Sequence, residues 1–152
     1  MGIAAAAEID ADVPDLDAFI AKYADSFARG HSNRSEERLM ELESFDEIED
    51  QLNSWETERS EGITNRETVQ LAEAIAATVF LTAGHSLVWQ TGMKPCPLCQ
   101  KMQGRKVGGG QSFANPGDII DPGDGETLPL TIHRGVGHPQ LHGGCVCYVV
   151  AG

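Results

Sequence analysis

The sequence predicts an α+β fold: an N-terminal helical segment of about three helices, followed by a small loop-rich module with short β-strands. Apolar residues recur at helical spacing up to Ala83. From Gly104 onward, glycine, proline and aspartate residues interrupt the chain at short intervals, which is typical of turns. All 4 cysteines follow Pro95. A loop-rich segment buries little apolar surface, so we expect these cysteines to help stabilise it.

The net charge of the 152-residue chain also changes close to the point where the predicted helices give way to the loop-rich module. Residues 1–88 hold 6 Lys/Arg and 19 Asp/Glu, a net charge of −13, whereas residues 89–152 hold 5 and 4, a net charge of +1. We therefore predict two parts, an acidic helical docking segment over 1–88 and a Cys/His module over 89–152. Strong acidity repels a phosphate backbone, so we do not expect nucleic acid as a partner of the first part.

Two helices are predicted before residue 56. The first follows Pro14 and is expected to end at Gly30; its apolar positions at helical spacing are Leu16, Phe19, Ile20, Tyr23 and Phe27. The second is expected to begin at Ser35, a candidate cap; its apolar positions are Leu39, Leu42, Phe45, Ile48, Leu52 and Trp55. This narrow apolar stripe among acidic residues favours docking on a helix or another subunit over full burial.

A third helix and a strand lead into the cysteine-containing region. Thr64 and Glu67 have the spacing of a capping box, just before an apolar run over residues 69–83. Alanine and larger apolar residues are distributed around nearly the whole helix, which predicts burial on most sides and an end at Gly84. Residues 85–90 are predicted to form a strand. Shorter strand candidates are residues 128–132 and 147–150.

The cysteines belong to one candidate metal site. Cys96 and Cys99 are separated by two residues, and so are His142 and Cys145. A two-residue spacer lets both side chains of a pair point at one ion, and two such pairs make a tetrahedral site. Thiolates with one imidazole favour zinc over calcium or magnesium, and an iron–sulfur cluster more usually takes four cysteines. We therefore expect a zinc ion that stabilises the loop-rich module.

The candidate site has more donors than a tetrahedral ion needs. Cys147 would lie on the same face as Cys145 in an extended tail, which makes it a fifth candidate ligand. His133 and His138 are weaker candidates for the imidazole. Three protein ligands with a water molecule would indicate catalysis, whereas four protein ligands close a site and indicate a structural ion. We favour the structural interpretation.

The same cysteines allow two other interpretations. A Cys-Pro-x-Cys motif occurs in thioredoxin-type redox sites, where a helix opens on the first cysteine, but the residues around Cys96 and Cys99 leave little room for such a helix. A disulfide framework would suit a secreted protein, but the N-terminus lacks the basic start of a secretory signal, and no run is long enough to span a bilayer. We therefore expect reduced cysteines and synthesis in a cytoplasm.

The motifs from Thr64 to Cys147 together resemble those of a known family. They are Arg66-Glu67-Thr68, Trp89-Gln90-Thr91, Cys96-Pro97-Leu98-Cys99, Gln103-Gly104 and a terminal Leu-His-x2-Cys-x-Cys. Their order and spacing resemble the C-terminal region of the phage minor head proteins, the head-morphogenesis family related to the Mu F protein. That family usually ends in His-Pro-x-Cys-x-Cys. This chain has glycines before Cys145 and a His-Pro pair upstream at His138, so both His138 and His142 stay candidate ligands.

The resemblance covers a little over half of the chain and implies a structural virion protein that is not an enzyme. It would be a minor head or capsid-associated component of a tailed phage that aids head assembly, located in the virion and assembled in the host cytoplasm. The implied partners are the portal, the major capsid protein or both, with multiple copies in each virion and no membrane partner. The acidic segment would be the docking element.

Two other functions stay open. A histidine-rich tail with a metal could belong to a nuclease of the His-Asn-His type, in which a histidine activates water beside a catalytic metal. No asparagine lies among His133, His138 and His142, and the acidic segment is poorly matched to a DNA substrate. A zinc-ribbon adaptor unrelated to phages would have the same fold and a different partner.

Overall fold

A computed structural model describes residues 2–12, 14–142 and 144–152, with the side chains of residues 2, 3 and 58–61 left out. The helices are α1 (Gly2–Glu8), α2 (Asp17–Met40), α3 (Phe45–Ser54), α4 (Ser60–Thr82) and α5 (Pro97–Gln100), with a π-helical turn at Trp55–Arg59. The strands are β1 (Leu87–Gln90), β2 (Lys106–Val107), β3 (Ile119–Ile120), β4 (Leu130–Thr131) and β5 (Tyr148–Ala151). The predicted α+β class is confirmed. Within the described ranges, no helix has an apolar stretch that could cross a bilayer.

The described residues pack as two compact units. One consists of residues 15–67, which we call the helical unit, and the other of residues 1–14 and 68–152, which we call the sheet unit. The second part of α4 belongs to the sheet unit because Ala77, Val79 and Phe80 lie in the same buried cluster as Trp89. The boundaries of these packed units, after residues 14 and 67, therefore differ from the boundary after residue 88 that charge predicts. The role of residues 1–88 as a docking segment stays a prediction.

Two predicted boundaries in the helical unit are wrong. α2 does not end at Gly30 but continues through it, because one glycine costs a helix only about 1 kcal/mol relative to alanine. The next helix begins after Ser44 rather than at Ser35. Ser44 Oγ accepts a hydrogen bond from the Glu47 N–H at 3.2 Å, and Glu47 Oε2 accepts one from the Ser44 N–H at 3.2 Å. This reciprocal capping box sets the start of α3.

The apolar stripe of the second predicted helix is only partly buried. Neither α2 nor α3 contains a fully buried residue. Within the stripe, Phe45 and Leu52 are 78% and 48% exposed, and the other four residues are half-buried. Met40, outside the stripe, is 80% exposed. Arg38 Nε donates to Gln51 Oε1 at 3.1 Å, which links α2 to α3 by a polar contact. The stripe is therefore not used to build a core within this unit.

α4 is the buried helix that the alanine-rich run predicts. Gly84 follows its end with a φ of +85°, a conformation that glycine adopts without strain. The predicted cap at Thr64 is wrong, because α4 continues directly from the π-helical turn and Thr64 lies inside it. The buried apolar residues of α4 are Ala72, Ala74, Ala77, Val79 and Phe80.

The sheet unit contains one three-stranded antiparallel sheet, in the order β2–β1–β5, and a separate β3–β4 ribbon. β1 pairs with β5 from Leu87 opposite Ala151 to Gln90 opposite Tyr148. Trp89 in β1 is fully buried, and its ring meets that of Phe113 edge-to-face, with centroids 5.2 Å apart. The three predicted strands are present as β1, β4 and β5, each shorter than predicted or shifted by one residue.

Two carboxylates cover the outer edge of β5. Glu73 of α4 accepts a hydrogen bond from the Val149 N–H at 2.8 Å, and Glu8 of α1 accepts one from the Ala151 N–H at 3.4 Å. Unpaired N–H groups on an edge strand would otherwise invite pairing with another chain. Burial raises the pKa of Glu73 from 4.5 to about 7, although the bond from Val149 opposes the shift.

Replacing Glu73 with glutamine is expected to stabilise the protein at alkaline pH. The unfolded carboxyl ionises near pH 4.5 and the folded one only near pH 7, so the wild type loses stability as the pH rises through this window. Glutamine keeps an acceptor for Val149 without a charge. Since Glu73 is partly exposed, we expect a gain of about 1–2 kcal/mol at pH 8 and little at pH 5.

Denaturant unfolding at the two pH values measures this gain. Glu8→Gln is the matched control, since Glu8 also accepts an N–H of β5 but is exposed. A gain of equal size at both pH values would show that buried charge is not its cause.

Candidate metal centre

The pairing of β1 with β5 brings the two donor-bearing segments together. Gln90, the last residue of β1, lies opposite Tyr148, the first residue of β5. The chain after β1 leads to Cys96, and the chain before β5 ends with Cys147. Both segments therefore leave the sheet at the same end, where their side chains can meet.

Cys96 and Cys99 lie on one helical turn. Cys96 caps α5, since its Sγ accepts a hydrogen bond from the Cys99 N–H at 3.4 Å. Pro97 occupies the first position of the helix, where no N–H is needed. The expectation that no helix opens on the first cysteine is thus wrong, because the cap and the proline together favour a short one. The turn holds the two sulfur atoms within 4.8 Å of each other.

His142, Cys145 and Cys147 come from the segment before β5. The Cys145 N–H donates to the His142 carbonyl at 3.3 Å, which closes a turn. Gly144 in this turn has a φ of +77°, whereas its neighbour Gly143 lies outside the described residues. Cys145 and Cys147 are both buried. The terminal motif therefore folds its donors inward, toward α5.

The five predicted donors form two overlapping groups, Cys96 with Cys99 and His142, and Cys99 with Cys145 and Cys147. His142 Nε2 is 2.9 Å from Cys96 Sγ and 3.4 Å from Cys99 Sγ. Cys99 Sγ is 3.4 Å from Cys145 Sγ. Bond lengths to zinc imply donors about 3.5–3.8 Å apart in a tetrahedral site, so these positions fit after shifts of about half an ångström. Cys99 is the donor common to both groups.

All four cysteines are free thiols, and burial and mutual contacts shift the pKa values of three of them. Burial raises the pKa of Cys99 well above its usual range, and hydrogen bonds with Cys145, Cys147 and Cys96 raise it further. Burial also raises the pKa of Cys147. At Cys96 burial acts in the same direction, but hydrogen bonds from the Cys99 N–H and from His142 outweigh it and lower the pKa. Thiolates this close repel one another unless a cation offsets their charge.

Trp89 connects the core of the sheet unit to the cluster. Its indole Nε1 is buried and has no hydrogen-bond partner of standard geometry among the described residues. It nevertheless interacts with the Cys147 sulfur and acts to lower the pKa of that thiol. An N–H group beside a thiolate stabilises its negative charge. Sequence reasoning placed Trp89 in a strand and a family motif, and missed this contact.

The two weaker histidine candidates lie outside both donor groups. His138 Nδ1 is 2.6 Å from the Pro139 carbonyl oxygen, to which it donates. Burial lowers the pKa of His138, which favours its neutral form. His133 is exposed. The structure thus places His142, and neither of these two, beside the sulfur atoms.

At Gly92 the segment after β1 passes against the terminal segment. A Cβ at this position would lie 2.5 Å from the Val146 carbonyl oxygen and 2.8 Å from its Cγ2. We therefore expect Gly92→Ala to push the two segments apart, to lower the free energy of unfolding by about 1–3 kcal/mol and to weaken metal binding. Denaturant unfolding and zinc titration measure both effects. Gly109→Ala, whose new Cβ meets nothing within 4 Å, is the control, and an equal loss there would contradict the steric explanation.

We expect Cys145→Ser to lose more metal than Cys147→Ser. Cys145 belongs to the His-x2-Cys pair and lies 3.4 Å from the shared Cys99 sulfur, so serine there removes a donor from the second half-site. We predict that a four-coordinate ion binds the other four donors and does not bind Cys147. Zinc content of the two purified variants measures the difference. Equal loss from both would place Cys147 in the ligand set.

The described donors could thus hold a metal ion, with no disulfide among them. Comparison with known proteins found no matching family model, no matching curated protein and no matching solved structure.

Proposed function

We propose that the protein is a structural component of a tailed-phage head, a minor head or capsid-associated protein whose C-terminal module is stabilised by zinc. The observation that supports this most is the cluster in which β1 and β5 unite Cys96, Cys99, His142, Cys145 and Cys147. These are the residues of the motifs that resemble the phage minor head family. The proposal therefore combines the donor geometry with the order of the motifs along the chain.

The chemistry of the donors supports zinc as the ion. Sulfur and imidazole ligands suit zinc, and oxygen ligands would suit magnesium or calcium. The cluster contains five protein donors, one more than a tetrahedral ion needs, and Cys99, Cys145 and Cys147 are buried. A catalytic zinc ion needs a position for water, whereas a structural ion has four protein ligands. This surplus of donors favours the structural role.

The helical unit supports a docking role. Its apolar stripe is exposed at Phe45 and Leu52, and it lies among many carboxylates. Met40, at the end of α2, is exposed as well. Apolar surface of this kind usually marks contact with another protein. The partner should present apolar residues together with basic ones, because like charge would repel it. We propose the portal or the major capsid protein as that partner.

Metal analysis tests the first half of the proposal. The protein purified without chelator is expected to contain one zinc ion per chain, and its cysteines should resist alkylation until a chelator removes the metal. The loop-rich module should lose its structure with the metal, because the binding free energy of a structural zinc ion is on the order of 10–16 kcal/mol. A metal-free protein with the same stability and fully reactive thiols would overturn the zinc assignment.

Quantitative mass spectrometry of purified virions tests the second half. We expect the chain in several copies per particle relative to the major capsid protein, and the copy number would separate a portal-associated ring from a component spread over the shell. Absence from the particles would overturn the head-component proposal. Cleavage of plasmid DNA by the purified protein with magnesium or manganese would then support the nuclease alternative.

A further inference from the structure

A cavity of about 400 Å³ lies within the helical unit. Its volume is in the range of small-molecule sites, about 300–1,000 Å³. Residues from α2, α3, the π-helical turn and α4 contribute to its wall, so tertiary packing of this unit alone forms it. The residues that matter for its chemistry are His31, Arg34, Gln51, Trp55, Ile63 and Arg66.

The side chains described in the cavity wall carry a charge opposite to that of the unit around it. Residues 15–67 contain 15 Asp/Glu and only 6 Lys/Arg. The lining side chains that the structure describes nevertheless include two guanidinium groups, those of Arg34 and Arg66, and no carboxylate. A positive pocket in an acidic unit binds an anion by its local field and excludes cations that the rest of the surface attracts.

Both guanidinium groups have N–H donors that are available to bind a ligand. Arg34 Nε donates to the Gly30 carbonyl at 3.0 Å, which directs the side chain and leaves its terminal nitrogens for another acceptor. Arg66 makes no hydrogen bond or ion pair with any described residue. A guanidinium group presents paired N–H donors that match two oxygen atoms of a carboxylate or phosphate.

The lining side chains of His31, Trp55 and Ile63 either provide apolar surface or are fixed by contacts with neighbouring residues. His31 packs against Phe27 in a tilted arrangement with ring centroids 4.3 Å apart, and its Nε2 lies 3.8 Å from Glu67 Oε1. Trp55 and Ile63 add an apolar side to the cavity. Trp55 also begins the π-helical turn between α3 and α4, and such turns frequently occur at functional sites. An anionic group and a flat apolar group could thus be accommodated together.

We infer that this cavity binds a small organic anion, whose carboxylate or phosphate group is bound by Arg34 and Arg66 and whose flat apolar part contacts Trp55. The site is separate from the metal centre, because its lining residues all belong to the helical unit. The inference also does not depend on the role proposed in the phage head.

Two-dimensional NMR of the full chain tests the inference, with inorganic phosphate, benzoate and adenosine monophosphate as probes. The chain has 2 tryptophans, so the indole N–H signals of Trp55 and Trp89 can be followed separately. We expect a saturable shift of the Trp55 signal with benzoate or adenosine monophosphate, at a Kd of about 1 mM or tighter, and no shift of the Trp89 signal.

Arg34→Gln and Arg66→Gln should each raise the Kd about tenfold or more. Arg29→Gln is the matched control, because Arg29 also lies on α2 but pairs with Asp25 outside the cavity. A response to benzoate alone identifies a carboxylate ligand, and a response to adenosine monophosphate and phosphate identifies a phosphate ligand. A lack of any saturable Trp55 shift in the wild type up to about 50 mM would overturn the inference. Equal weakening by Arg29→Gln would overturn it as well.

Discussion

Replacing Cys99 with serine is expected to unfold the loop-rich module and abolish stoichiometric zinc binding. Cys99 is the one donor present in both groups, and its sulfur lies 3.4 Å from both His142 Nε2 and Cys145 Sγ. Its loss therefore removes a donor from both groups at once. We expect zinc affinity to fall by at least about 100-fold, equivalent to about 3 kcal/mol. Metal analysis and zinc titration measure the loss.

The helical unit should keep its structure in this variant, because α2 and α3 lie outside the sheet unit that contains the donors. Far-ultraviolet circular dichroism should therefore retain most of the helical signal, while Trp89 fluorescence reports the loss of the buried environment. Cys96→Ser is the comparison, since Cys96 belongs to one donor group only and its loss should weaken zinc binding less. Unchanged zinc content in Cys99→Ser would contradict the assignment of the centre.

Truncating Trp89 to alanine is expected to cost about 3–5 kcal/mol of stability in the sheet unit. The side chain has no exposed surface and packs edge-to-face on Phe113, so alanine leaves a cavity at the middle of β1. The same strand pairs with β5 and so positions the preceding segment, which contains Cys145. We therefore expect zinc binding to weaken together with stability, even though no ligand is changed. Denaturant unfolding and zinc titration measure the two losses.

Trp55→Ala is the matched control for this experiment. Trp55 is the other tryptophan of the chain, is half-buried and belongs to the helical unit. Its truncation should leave zinc affinity unchanged. If both variants lost zinc affinity to the same extent, a general loss of folding rather than the support of β1 for the metal centre would be the cause.

Local signals predicted the element types better than their ends. The buried face of α4 and its end before Gly84 follow from an alanine-rich run and a residue that tolerates positive φ. The break between α2 and α3 was misplaced because Gly30 and Ser35 carry only weak stop and start signals, whereas Ser44 and Glu47 form the capping box. The short β2 and β3 have almost no pattern of their own, since strands of two residues depend on their neighbours.

The α+β class and the five candidate metal donors follow from local patterns in the sequence. Spacing within Cys96-x2-Cys99 and His142-x2-Cys145 is a local property, and so is the period of an amphipathic helix. The three-dimensional structure was needed to show that Cys99 belongs to both donor groups and that His138 lies outside them. These facts depend on the register between β1 and β5, which pairs residues far apart in the chain through packing that no local pattern encodes.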